Sequence, residues 1–270
     1  MELLHQSCEI PAEYGSFHLA WLISFLVLSV ICSIIFRKAK DKYLRIFLGI
    51  LWVIMVVFEC LKLTINFTII TDGQTSFEFS PSSLSFQFCS LPLYFLPVVI
   101  FKKDGKNRDI FAIFLGTYGL IAGLCVYFFP STVFSELLFI NYQTMIHHGI
   151  QLLTGFVLLV RYFDKVNLKI IGKTFLLFFL TVMGARLINE LFHSYFPTDE
   201  TVDFFYISPY TEREFPLIKH FKQLVPNCVF TMGYIAGFTF LVSIFYGVPA
   251  FIYKKWFGFK YKNNENREQN

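Results

Sequence analysis

Polar and apolar positions alternate along this chain in long blocks. Apolar residues dominate near 16–36, 44–70, 83–101, 110–129, 142–162, 170–195 and 228–253. Each block is long enough for a helix to cross a bilayer, which takes about 20 residues. Barrel strands need only about 9–11 alternating residues, so these blocks predict helices. The expected fold class is therefore all-α: a polytopic membrane protein of seven transmembrane helices. Residues 1–253 are expected to form one transmembrane domain and 254–270 a polar cytoplasmic tail.

The segments between the blocks differ sharply in charge. Arg37, Lys38, Lys40, Lys42 and Arg45 follow the first block, and Lys102, Lys103, Lys106 and Arg108 follow the third. Arg161, Lys165, Lys169 and Lys173 surround the loop after the fifth, and Lys254, Lys255, Lys260, Lys262 and Arg267 close the chain. Segments 1–15, 71–82 and 130–141 carry no Lys or Arg. Basic loops stay in the cytoplasm, which predicts an outside amino terminus and a cytoplasmic carboxyl terminus. The loop 196–227 then lies outside. Its prolines 197, 209, 216 and 226 exclude one continuous helix, and its many aromatics suit packing on a membrane surface or capping a cavity.

Composition agrees with the pattern. The 270 residues are 55% hydrophobic and only 16% charged, with a mean hydropathy of +0.56. A soluble domain would carry about 25% charged residues. The basic residues form short clusters between apolar blocks, not one basic face, which argues against nucleic-acid binding. Six scattered cysteines without a C-x-x-C pair make neither a disulfide framework nor a zinc ribbon. The location expected is the cell membrane, crossed several times.

With this orientation, the polar residues inside the blocks share one depth. Glu59, Lys62 and Asn66 lie on one face of the second helix, in its outer half. Gln87 and Cys89 lie about two turns inside the third. His147, His148 and Gln151 occupy a similar depth in the fifth. Arg186, Asn189, Glu190 and His193 form a stripe with i, i+3, i+4, i+7 spacing at the end of the sixth. His18 opens the first helix on the same side, and Asn227 and Tyr234 belong to the last. Ionisable groups cost about 2.5–3.5 kcal/mol each at the bilayer centre, so a one-sided cluster predicts a polar cavity open to the outside.

Several stretches carry a resemblance. LSFQFCSLPLYFLP at 84–97 resembles a motif that usually reads LPLHLC before an apolar helix, found in a bacterial integral membrane family related to eukaryotic transmembrane protein 164. YGSFHL at 14–19, the FE pair at 58–59, IHHG at 146–149 and Asn189 resemble further landmarks of that family, in order. The eukaryotic relatives are similar to cysteine acyltransferases acting on phospholipids. The resemblance implies Cys89 as a nucleophile that takes a fatty acyl group as a thioester, and His148 as its base. It implies a phospholipid or lysophospholipid substrate within the membrane lipid, and no cofactor. Gln87 stands where the family carries a histidine, and glutamine cannot transfer a proton at neutral pH.

The residue chemistry is compatible with that role. Acyl transfer needs a thiolate, a base and donors for the tetrahedral oxyanion. Gln87, Asn189 and Arg186 are candidate donors, Glu59 or Glu190 a candidate partner to orient the imidazole, and His18 or His147 an alternative base. Two other readings compete. Glu190-x-x-His193 with His147, His148 and His18 would suit a zinc-dependent lipid hydrolase. Intramembrane charges such as Glu59, Lys62 and Arg186 would suit an outward-open transporter or receptor, although no internal repeat supports it.

Overall fold

A computed structural model describes residues 2–71, 74–130, 133–196, 202–211 and 216–247. The architecture is almost entirely helical. Helix α1 spans Ser16–Arg37, α2 Asp41–Asn66, α3 Leu91–Phe101, α4 Lys106–Phe128, α5 Leu138–Tyr162 and α6 Leu168–Tyr195. A short α7, Pro216–Leu224, precedes α8, Asn227–Gly247. Among the described residues six of these helices, all but α3 and α7, are long and apolar enough to cross a membrane, and the chain is an integral membrane protein.

The third block departs from expectation. Instead of a helix over 83–101, the chain runs extended at Leu84 and Gln87, makes a 3-10 turn at Phe88–Ser90, and becomes α-helical only at Leu91. The apolar helical stretch Phe88–Phe101 rises about 21 Å, short of a hydrocarbon core of about 30 Å. Pro92 sits in the first helical turn, where its missing N–H costs nothing. Upstream, Ser85 is engaged from both ends: its hydroxyl donates to Glu59 and its carbonyl accepts from the Tyr94 hydroxyl (2.6 Å). Those bonds hold the segment away from helical pairing. Helix α2 also stops short of residue 70. The β-branched run from Thr68 forms strand β1 (Thr68–Thr71), which pairs antiparallel with β2 (Gln74–Phe77). The expected ends of the seventh block at 253 and of the tail at 254–270 lie outside the described residues.

Helices α4 and α5 form the centre, mostly enclosed, while α1, α2, α6 and α8 turn most of their surface outward. Helix α5 is both the most enclosed and the least apolar of the six. That inversion fits a lipid solvent: chains such as Ile23, Ile34, Val53 and Leu180 gain nothing by turning inward, and close packing holds the helices together. Small residues allow it. A Cβ on Gly149 would fall 2.1 Å from the Phe25 ring, and one on Gly116 would fall 2.8 Å from the Leu159 nitrogen. Helix α4 contains a π-turn at Leu115–Gly119, and the Gly119 carbonyl accepts from Gln151 Nε2 (2.8 Å).

At one end of the bundle an ionic clasp joins α2, α3 and α4. Arg108, only 2% exposed, donates to the Val99 carbonyl (2.8 Å) and to Asp41 (2.8 Å), and pairs with Asp104. Arg45 reaches Asp41 (2.5 Å), Asp104 (3.0 Å) and the carbonyls of Ile100 and Lys102. The two guanidinium groups thereby satisfy carbonyls left open at the end of α3. At the opposite end, segment 202–211 folds into the bundle as a plug. Val202, Asp203, Phe204, Phe205, Ile207 and Ser208 are all buried.

Candidate active site

The 3-10 turn Phe88–Ser90 presents Cys89 at the start of α3. Cys89 is free and half-buried. Its thiol faces a cavity of about 180 Å³ roofed by Tyr206 of the plug. The walls come from Gln87 and Phe88, from Ala122, Cys125 and Val126 of α4, from His148 of α5, and from Tyr234 and Phe238 of α8. Cys89 and His148 thus line one cavity, as expected. Phe88 packs edge-on against Phe238 and tilted against Phe178, which stacks on Tyr118 with centroids 4.4 Å apart, and together these rings form an aromatic floor.

The two adjacent histidines do different things. His148 Nδ1 lies 2.8 Å from the Thr144 carbonyl, so that nitrogen must carry the proton. Nε2 keeps its lone pair and has no hydrogen-bond partner among the described residues. This is the tautomer a general base needs. His147 Nε2 donates to the carbonyl of Cys89 itself (3.3 Å), and its Nδ1 stands 3.5 Å from Glu59. Glu59, 5% exposed, also accepts from Gln143 Nε2 (3.0 Å) and the Ser85 hydroxyl, and pairs with Lys62. Buried charge persists only when it is matched in this way. His147 thus holds the turn bearing Cys89 through Nε2, while its Nδ1 faces the Glu59 carboxylate without a hydrogen bond.

Other expected site residues have structural work. Gln87 donates to the Asp203 carbonyl (2.8 Å) and accepts from the Phe205 amide (2.8 Å). Asn189 donates to the Phe204 carbonyl (3.0 Å) and accepts from the Phe204 amide (2.9 Å). Two carboxamides thus clamp three successive residues of the plug. The clamp holds Phe205 and Tyr206 at φ 61° and 58°, a left-handed conformation that side chains with a Cβ resist. Both ends of the Asn189 amide thus bond to the peptide of Phe204.

His18 is fully buried among the rings of Tyr14, Tyr127 and Phe134, all within 6 Å by centroid, and does not line the cavity. Arg186 donates to Thr231 (3.0 Å) and lies 3.8 Å from Glu190. Glu190 accepts from the Tyr210 hydroxyl (2.6 Å), which raises the pKa of that phenol. The His193 ring stacks on Tyr210 at 3.5 Å. These three form a rim around Tyr210. The proposed zinc set is therefore dispersed, and among the described residues no three His, Cys, Asp or Glu side chains converge to hold a metal.

Sequence reasoning missed Ser85, Gln143, Thr144 and the cavity role of Cys125. Gln143 and Thr144 stand one turn before His147 and His148, which was a signal within reach. Nothing in the sequence distinguishes Cys125 from a packing thiol.

No curated protein and no solved structure matches this chain. The TMEM164 family model matches residues 13–250, a range that includes Cys89, His148 and the whole plug. The chain belongs to the TMEM164 family.

Proposed function

We propose that this protein is a membrane-embedded phospholipid acyltransferase, or acyl hydrolase, that works through a thioester on Cys89. The observation that carries this reading is that one cavity is lined by both the half-buried Cys89 and His148, whose Nε2 has no hydrogen-bond partner among the described residues. In the first half-reaction His148 Nε2 takes the thiol proton and the sulfur attacks an ester carbonyl of the donor lipid. The tetrahedral intermediate collapses, the lysophospholipid oxygen leaves with the proton from His148, and the acyl group stays on sulfur. In the second, His148 takes a proton from an acceptor hydroxyl, which attacks the thioester, and the departing thiolate regains that proton. A lysophospholipid acceptor makes the enzyme a transferase, and water makes it a hydrolase. The Tyr234 hydroxyl, on a residue that lines the cavity, is the donor we assign to the oxyanion.

His147 is a positioning residue in this scheme. It acts on the Cys89 carbonyl, not on substrate. The basic segments support an orientation with the amino terminus outside and the cavity near the outer surface of the cell membrane. The 1–253 transmembrane domain would then cross seven times, with α3 and the extended segment before it as the shortened third crossing. The aromatic floor weighs against transport, because alternating access needs a polar path beyond it.

The direct test is intact-mass analysis of purified protein after incubation with diacyl phospholipid. The expected result is an adduct of one acyl chain, sensitive to hydroxylamine and absent from Cys89→Ala. Wild-type turnover in Cys89→Ala would reject the assignment.

A further inference from the structure

Segment 202–211 closes over the catalytic cavity without belonging to any long helix. Val202, Phe204, Phe205 and Ile207 are buried, and Tyr206 lines the cavity with Cys89 and His148. Beyond one 3-10 turn at Phe204–Tyr206, side chains hold its backbone in place of helical pairing. Gln87 binds the Asp203 carbonyl and the Phe205 amide, Asn189 binds both polar groups of Phe204, and the Asp203 carboxylate accepts from the Ser208 amide (2.7 Å). At the far end Lys222 of α7 donates to the Thr211 carbonyl (2.9 Å) and stands 3.7 Å from the Asp203 carboxylate.

That attachment is closed but easily released. A few side chains make it, and Phe205 and Tyr206 sit at positive φ, so release relieves strain. The apolar side chains withdrawn with the segment need not enter water. Lipid beside the bundle is as apolar as the core, so the hydrophobic penalty that would lock such a plug in a soluble protein is small here. The proposed chemistry also needs both positions. A cavity of about 180 Å³ falls below the roughly 300–1,000 Å³ of drug-sized ligand sites, too small for a diacyl donor to reach the thiol beneath Tyr206. An open mouth, conversely, admits water. Its oxygen would bond to the acyl carbon as the C–S bond breaks and sulfur regains a proton, which loses the chain as free fatty acid. A lid closed over the intermediate prevents that loss.

We propose that segment 202–211 is a lid, latched by Asn189 and Lys222, that opens to admit lipid to Cys89 and closes over the thioester to exclude water. The water-excluding role rests on the thioester reading above, whereas the opening motion does not.

The test measures access to the thiols of the full chain in nanodiscs, using a water-soluble sulfonated methanethiosulfonate and peptide mapping. Cys89 and Cys125, which share the cavity, are expected to react slowly, and the exposed Cys228 fast. Asn189→Ala should speed labelling of both cavity thiols about tenfold, the scale of one lost hydrogen bond, and leave Cys228 unchanged. Lys222→Ala, at the other end of the segment, serves if Asn189→Ala fails to fold. Equal cavity labelling in wild type and both variants would overturn the lid, as would wild-type labelling of Cys89 as fast as that of Cys228. Given a diacyl phospholipid and a lysophospholipid, the same variants should raise the ratio of free fatty acid to transferred chain about tenfold. Faster labelling with an unchanged ratio would overturn the exclusion of water. The absence of any acyl adduct on Cys89 would sink the thioester and the water-excluding role together, and the labelling rates would still decide the lid.

Discussion

The two ends of the helix bundle spend their polar residues in opposite ways. At the clasp, Asp41, Arg45, Asp104 and Arg108 satisfy one another and the open carbonyls of α3. At the plugged end, the carboxamides of Gln87 and Asn189 hold the backbone of the plug in place, and Cys89 lines a cavity with His148, whose Nε2 has no hydrogen-bond partner among the described residues. A fully paired set stabilises and does nothing else. Reactivity needs a group whose partner is missing, and the surrounding network exists to keep that gap open.

The contrast can be broken by substitution, most severely at the cavity. Cys89→Ser is expected to reduce acyl transfer by at least roughly 10,000-fold, and His148→Ala by roughly 100- to 10,000-fold, with unchanged thermal unfolding. A large loss of stability in either would mean that the pair is structural. At the clasp the effect should invert. Asp41→Ala is expected to cost about 3 kcal/mol of stability, the low end for a broken buried pair because Arg108 keeps Asp104. Turnover per folded molecule should not change.

His147→Ala and Glu59→Gln are intermediate. Loosening the turn under Cys89 is expected to lower kcat about 100-fold, the scale of a 1 Å misplacement, with little change in KM. The readout that separates positioning from base catalysis is the pH profile, whose rising limb should persist in His147→Ala and vanish in His148→Ala. At the plug, Asn189→Ala leaves the peptide of Phe204 unpaired. It should cost about 1–3 kcal/mol and speed hydrogen exchange across 202–211. Smallest of all, Tyr210→Phe removes an exposed contact to Glu190 and should leave thermal unfolding unchanged. If it instead abolished turnover, the rim would belong to the active site.

Much of this was legible in the chain. The long apolar blocks, the clustering of polar residues near one end, and the candidates Cys89 and His148 all follow from patterns within single segments. The third block misled because hydropathy reports that a residue is apolar, not that its backbone is helical. Leu84, Phe86 and Phe88 are as apolar as any helical residue, yet Ser85 and Gln87 bind elsewhere. The stripe Arg186, Asn189, Glu190 and His193 was equally misleading. Its spacing is real, but the helix turns Asn189 onto buried Phe204 and leaves Glu190 and His193 to Tyr210.

What the sequence alone determined is the six membrane-length helices and the clustering of Cys89 and the histidines among the polar residues near one end. The tertiary structure decided that His148, not His147, lines the cavity with Cys89, and that Gln87 and Asn189 bind the backbone of the plug. The reason is distance along the chain. Periodicity sees neighbours three or four residues apart, whereas Gln87 meets Asp203 and Glu59 meets Gln143 across 116 and 84 residues. A hydrogen bond of that kind depends on which helices pack together, and no local pattern encodes it.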